Sequence, residues 1–205
     1  LMNKEDYDNL VNRKINYLSL DGNNKKINLD LNNSVILSGS FNPLHKGHTE
    51  LLIASEKEIA VKPLFEISIF NVDKSQIDFF DLNERIKQFR SIGKLIITNS
   101  PTFTEKSSIF KKSIFVVGYD TALRLLDKKY YSYNINDAYH EIKKNGCSFL
   151  VTGRYIDKKY YDPNQINYGE FKDFFSILPE NKFRLDISST ILRNDYSSAK
   201  DKFAA

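Results

Sequence analysis

From residue 34 onward the apolar residues fall into short runs separated by stretches with helical spacing. Runs of strand length occur at 34–38 (Ser-Val-Ile-Leu-Ser), 64–70 (Leu-Phe-Glu-Ile-Ser-Ile-Phe), 94–98, 113–117 and 147–151, and residues 47–60, 82–92, 103–111, 120–127 and 135–144 read as helices between or after them. Five strands interleaved with five helices mark crossover units. The pattern predicts an α/β fold: a doubly wound parallel sheet of about five strands with helices on both faces. In such a sheet ligands lie beyond the carboxyl ends of the strands, so function belongs in the loops that follow them.

Before residue 34 the pattern is more polar. Tyr7, Leu10, Val11, Ile15 and Leu18 keep near-helical spacing across 5–18, and Ile27, Leu29 and Leu31 alternate with polar residues as a half-exposed strand or extended arm. The expected organisation is an N-terminal helix and extended appendage over 1–33, then one domain over 34–205. Whether a further domain precedes Leu1 stays open. Residues 153–186 mix Tyr, Asp, Lys and Pro without periodicity and read as a long connection. Asp127-Lys128-Lys129-Tyr130-Tyr131 recurs at 157–161, which is too short to signal a repeat architecture.

Composition narrows the classes. With 205 residues, 41% hydrophobic and 27% charged, the chain suits one soluble domain, and no apolar run approaches the ~18 residues of a membrane span. The first residues lack a secretory signal. The net charge of +4 is mild and acidic residues are interspersed, which argues against a nucleic-acid surface. The basic set is 23 Lys and 7 Arg beside 20 Asn, so each Lys says little and each Arg, a better grip on phosphate, says more. One cysteine, Cys147, excludes an intramolecular disulfide and a multi-cysteine metal site and reads as a buried strand thiol. A reducing, cytoplasmic setting is expected, without a membrane or nucleic-acid partner; homo-oligomerisation stays open.

The loop after the first strand carries the clearest chemistry. Gly39-Ser40-Phe41-Asn42-Pro43-Leu44-His45-Lys46-Gly47-His48 opens directly into a helix. Gly39 lets the backbone turn or approach a ligand closely, and Gly47 does so at a helix start, where free N–H groups and the helix dipole favour an anion. His45 and His48, three apart at the head of that helix, can donate hydrogen bonds to phosphate oxygens and stabilise charge built up in phosphoryl or nucleotidyl transfer. A glycine loop after a strand is weak alone, and a lone His is usually structural. His-x-x-His lacks a third metal ligand nearby.

Two further segments belong with it. Asp186-Ile187-Ser188-Ser189-Thr190-Ile191-Leu192-Arg193 heads a final helix, with hydroxyl and amide donors in its first turn and Arg193 one turn below. Taken alone, Ser-Ser-Thr is an ordinary cap. Gly118-Tyr119-Asp120 follows a strand and begins another helix; Asp120 is equally an N-cap. Lys74 and Arg85 read as solvated charges with a phosphate contact as the alternative, and His140 as surface decoration.

Gly39 to His48 resembles the His-x-Gly-His signature of the nucleotidyltransferase superfamily, most closely the nicotinamide/nicotinate mononucleotide adenylyltransferase family. Ile187 to Arg193 is similar to that superfamily's second signature, Ile-Ser-Ser-Thr-x-x-Arg, and Gly118-Tyr119-Asp120 to its Gly-x-Asp segment. The resemblance implies a Rossmann-like sheet and a nucleotidyltransferase domain over 34–205. His45, His48 and Arg193 would be catalytic; Gly39, Ser40, Phe41, Gly47, Ser188, Ser189 and Thr190 would bind ATP phosphates; Asn42, Gly118, Tyr119 and Asp120 would touch the substrate. ATP would be a substrate, with Mg²⁺ held mainly by the phosphates rather than by a protein metal site. The reaction implied moves AMP from ATP to the phosphate of nicotinamide or nicotinate mononucleotide in NAD biosynthesis. Two alternatives remain: adenylyl or cytidylyl transfer to phosphopantetheine, phosphocholine or glycerol phosphate, and a nucleotide-binding or ATP-hydrolysing regulator. The chain has no Trp where the family often carries one, and Tyr130 or Tyr131 would supply the aromatic face.

Overall fold

In the computed structural model, which describes residues 1–72 and 75–184, strand and helix alternate along almost the whole chain. The order is α1 (Lys4–Val11), β1 (Tyr17–Leu20), β2 (Ser34–Ser38), α2 (Lys46–Ile59), β3 (Lys62–Ser68), α3 (Phe79–Lys87), β4 (Leu95–Thr98) and α4 (Phe103–Ile109). Then come β5 (Ile114–Gly118), α5 (Tyr119–Leu126), α6 (Ile135–Lys144), β6 (Ser148–Thr152), β7 (Arg154–Ile156), β8 (Lys159–Tyr161) and β9 (Phe175–Leu178). The five expected strands and the five helices between and after them all appear. Their bounds shift by a few residues, most for α3, which starts at Phe79 because the Asp78 side chain accepts from the Phe80 and Asp81 amides as an N-cap.

Among the described residues the main sheet has seven strands in the order β1-β4-β3-β2-β5-β6-β9, with β1 alone antiparallel to its neighbour. Two strands thus exceed the expected five. Residues 17–20 form β1 rather than the end of a helix: α1 stops at Val11, Arg13 takes a left-handed φ of 55°, and the chain turns to pair Tyr17–Leu20 with Leu95–Thr98. β9 sits inside the aperiodic 153–186 segment and pairs parallel with β6. The same segment holds the β7–β8 hairpin, whose turn residues Asp157 and Lys158 both have positive φ, as a primed two-residue turn requires. The recurring pentapeptide is no structural repeat: 128–130 is a 3-10 turn, whereas 159–161 is β8.

Alternation along the strands separates two cores. Val35, Leu37, Phe65, Ile67, Leu95 and Ile97 pack with Leu51 and Leu52 of α2, Leu82 and Ile86 of α3, and Tyr7 and Leu10 of α1. Ile36, Leu64, Ile96, Phe115, Phe149 and Val151 face the other way, toward Ala122 of α5 and Tyr139 and Ile142 of α6, with Phe110 closing α4. Residues before 34 therefore contribute both a strand and core side chains. From β2 the chain builds outward through β3 and β4, then returns to β5 on the other flank. The carboxyl end of β2 is the topological switch point.

Candidate active site

The loop 39–45 leaves β2 at that switch point, and its shape is fixed from beneath. Gly39 N–H donates to the Glu66 carbonyl at 3.0 Å. A Cβ at Gly39 would come within 2.9 Å of the Phe41 ring, so this glycine is needed for close packing. Phe41 has a left-handed φ of 43° and a fully buried ring set edge-to-face against Phe65, Phe89 and His48. That backbone costs roughly 1–2 kcal/mol. Burying the ring offsets it by about 1.5–3 kcal/mol.

α3 then holds the loop from the side. Arg85 Nη1 donates to the Ser40 carbonyl at 2.9 Å, Gln88 Nε2 donates to the Phe41 carbonyl at 3.0 Å, and the Leu44 N–H donates to Gln88 Oε1 at 2.7 Å. The last two bonds bracket the cis Asn42–Pro43 peptide. Arg85, expected as a solvated charge, has a side chain only 11% exposed and pairs with Asp81 while gripping Ser40. Gln88 escaped the sequence reading; its position three residues after Arg85, on the same side of α3, was the available signal.

His45 is the N-cap of α2 and His48 lies in its first turn. The His45 backbone N–H donates to His48 Nδ1 at 3.2 Å, and the two rings stack with centroids 3.7 Å apart and 22° between planes. Burial, with the neighbouring His45 charge adding to it, pushes the His48 pKa down to about 3; burial also lowers that of His45. Both imidazoles are neutral near pH 7. His48 accepts at Nδ1, so its proton sits on Nε2 as a donor. His45 Nδ1 is buried and has no hydrogen-bond partner among the described residues. Gly47 is buried in the same first turn, where unpaired amides and the helix dipole favour an anion.

On the β5–β6 flank, Gly118 ends β5 and caps α5, and a Cβ there would meet nothing within 4 Å. Tyr119 lies 5.5 Å from Tyr161, and Asp120 is ion-paired with Arg154 of β7. The hairpin lies tight on this flank, since a Cβ at Gly153 would collide with the Tyr160 ring and hydroxyl. Ser188, Ser189, Thr190 and Arg193 lie outside the described residues, as does Lys74. Cys147 is buried with its thiol against the Phe110 carbonyl at 3.1 Å, its pKa raised by burial, and His140 is exposed.

A cavity of about 560 Å³ opens on the β3–β4 flank, bordered by Gly39, Ser40 and Asn42 of the loop and floored by Ser38, Ser68 and Lys106. Asn71, Pro101, Phe103 and Thr121 are shared with an adjoining recess of about 270 Å³ walled by Tyr130, Tyr131 and Tyr133. The structure therefore gathers Gly39, Ser40, Asn42, His45 and His48 around one strand end, and places Gly118, Tyr119 and Asp120 across β2 on the other flank. Among the described residues no group of three or more His, Cys, Asp or Glu side chains is placed to hold a metal ion, and no helix is long and apolar enough to cross a membrane.

No curated protein matches the chain. Residues 36–195, well over half of the sequence, match the family model described as cytidylyltransferase-like, a span that runs from β2 through the second signature. With a stacked histidine pair at the head of α2 and a parallel sheet switching direction at β2, the chain belongs to the cytidylyltransferase-like family, within the nucleotidyltransferase superfamily.

Proposed function

We propose that this nucleotidyltransferase moves AMP from ATP to the phosphate of a mononucleotide, nicotinamide or nicotinate mononucleotide, giving a dinucleotide and pyrophosphate. The observation that carries this reading is the pairing of the two cavities. A polar volume lies against the loop, and a tyrosine-walled recess continues from it. That order, polar then aromatic, fits an acceptor with phosphate and sugar at one end and a flat ring at the other.

In this reading an oxygen of the acceptor phosphate attacks the α-phosphorus of ATP, and the bond from that phosphorus to the bridging oxygen breaks to release pyrophosphate. No protein nucleophile is required; catalysis is alignment and charge neutralisation. His48 Nε2–H and His45 would donate to phosphate oxygens, with the amides of Gly47 and its neighbours at the α2 N-terminus. Gly39, Ser40 and Phe41 would present backbone to the phosphates, with Ser188, Ser189, Thr190 and Arg193 opposing them. Gly118, where a side chain would project into open space, and Asp120 would meet the nucleotide on the other flank. Mg²⁺ would arrive with the triphosphate, because it keeps much of its water and asks few protein ligands.

The test is pyrophosphate release from ATP or CTP with a panel of phosphate acceptors. Release with ATP and a nicotinamide or nicotinate mononucleotide is expected. Release only with phosphopantetheine, phosphocholine or glycerol phosphate, or phosphate rather than pyrophosphate, overturns the reading.

A further inference from the structure

The alternation of β2, β3 and β4 places Ile36, Leu64 and Ile96 on the sheet face toward α4, α5 and α6. Continuing along each strand, the same face next carries Ser38, then Glu66 and Ser68, then Thr98. The apolar face therefore turns polar at the carboxyl ends, where the cavity opens. Glu66 is fully buried. Its Oε2 takes Lys106 Nζ from α4 at 2.6 Å, and its Oε1 takes the Thr98 hydroxyl at 2.6 Å.

Every group in that trio is used, yet the two serines are not. Ser38 and Ser68 line the cavity, and their Oγ atoms are buried with no hydrogen-bond partner among the described residues. Buried hydroxyls left unpaired cost stability unless something completes them. Lys106 also lines the cavity and has N–H donors beyond the one aimed at Glu66.

Charge and spacing then narrow the ligand. Lys106 is matched one-to-one by Glu66, so an anion placed here would meet a desolvated carboxylate as well as the ammonium. The floor suits neutral groups that both donate and accept, which is what a hydroxyl does. Ser38 pairs in register with Glu66, and Ser68 lies two residues further along β3, so the serines stand diagonally across neighbouring strands. That separation, roughly 8 Å between backbones from the strand spacing and a two-residue rise, fits a ring with hydroxyls fanned around it better than one isolated group.

We propose that the floor of the cavity is a sugar subsite, in which Ser38, Ser68 and Lys106 hold the hydroxyls of a pentose on the acceptor. The inference rests on the mononucleotide reading above and adds the residues that recognise the sugar. With pyrophosphate release as the assay, Ser68→Ala and Ser38→Ala are each expected to raise the acceptor KM ~10-fold, the equivalent of one hydrogen bond, with the ATP KM unchanged. The penalty should vanish with an acceptor mononucleotide whose ribose lacks both hydroxyls. An unchanged acceptor KM, or an equal penalty on that stripped acceptor, overturns the subsite. The double variant Glu66→Gln/Lys106→Met removes the ion pair as a unit and should also raise the acceptor KM; if it does not fold, the serine variants decide. If the wild type transfers to no mononucleotide, the mononucleotide reading falls, and calorimetry with ribose phosphate decides the subsite separately. Binding by the wild type that is lost in Ser68→Ala upholds it, and no binding by the wild type ends it.

Discussion

The two flanks of β2 treat charge in opposite ways. On the β3–β4 side Glu66 and Lys106 are almost entirely buried, with side chains 0% and 8% exposed, beside hydroxyls that lack partners. On the β5–β6 side Asp120 and Arg154 form their pair in the open, at 47% and 39%, under a hairpin that fills the space with its own tyrosines. A buried pair is costly to break and holds a fixed floor; an exposed pair is worth little and can separate when a ligand competes for one member. One flank thus rests on a buried pair beside the cavity, while the other is tied by an exposed pair under a close-packed hairpin.

The largest expected effect tests the first half of that contrast. Lys106→Met should lower unfolding stability by about 3–5 kcal/mol, because it strands Glu66 as an uncompensated buried charge; denaturant titration measures it, and a loss near zero would erase the distinction between the flanks. At the point where the flanks meet, His48→Ala should cut pyrophosphate release ~10²-fold or more, about 2.7–4 kcal/mol of transition-state stabilisation, with circular dichroism unchanged. An unaltered rate would remove the histidine pair from the chemistry. Gln88→Ala, which frees both ends of the loop, should lower kcat/KM for ATP by ~10-fold through the loss of about 1–2 kcal/mol of positioning. If instead stability falls and kcat/KM does not, the clamp serves folding alone.

A pH test sharpens the picture of the loop. The folded pKa of His48, about 3, lies below the ordinary value of 6.5, so the unfolded chain takes up a proton first as pH falls. His48 therefore contributes stability that is complete above ~6.5 and declines as pH falls from there toward 3. Unfolding free energy measured across that window should drop less steeply in His48→Gln than in the wild type; parallel curves would contradict the buried neutral imidazole. The smallest effect belongs to the exposed flank: Arg154→Ala should change stability by no more than ~1 kcal/mol. A loss as large as that of Lys106→Met would mean the two flanks are alike.

Local signals carried far in the sequence, and long-range ones did not. Runs such as Ile114–Gly118 and the His45–His48 pair announce themselves because strand burial and the capping of a helix start each depend on residues close together in the chain. β1 and β9 are four residues each, and what makes them strands is pairing with β4 and β6, which no short window contains. The same holds for Gln88, whose partners Leu44 and Phe41 lie 44 and 47 residues away. Glu66 was visible as one charge inside an apolar run, but its meaning needed Lys106, forty residues on. At the second signature, Ser188 to Arg193 lie outside the described residues.

Phe41 has a consequence for how nucleotides would associate. With its ring packed among three aromatic neighbours and its carbonyl tied to Gln88, the loop's conformational freedom is surrendered when the chain folds. Ordering a loop residue costs roughly 1–2 kcal/mol, and here that cost falls on folding rather than on each binding event. A truncation at Phe41 would therefore register as weakened affinity as well as weakened stability, since every arriving nucleotide would have to order the loop afresh.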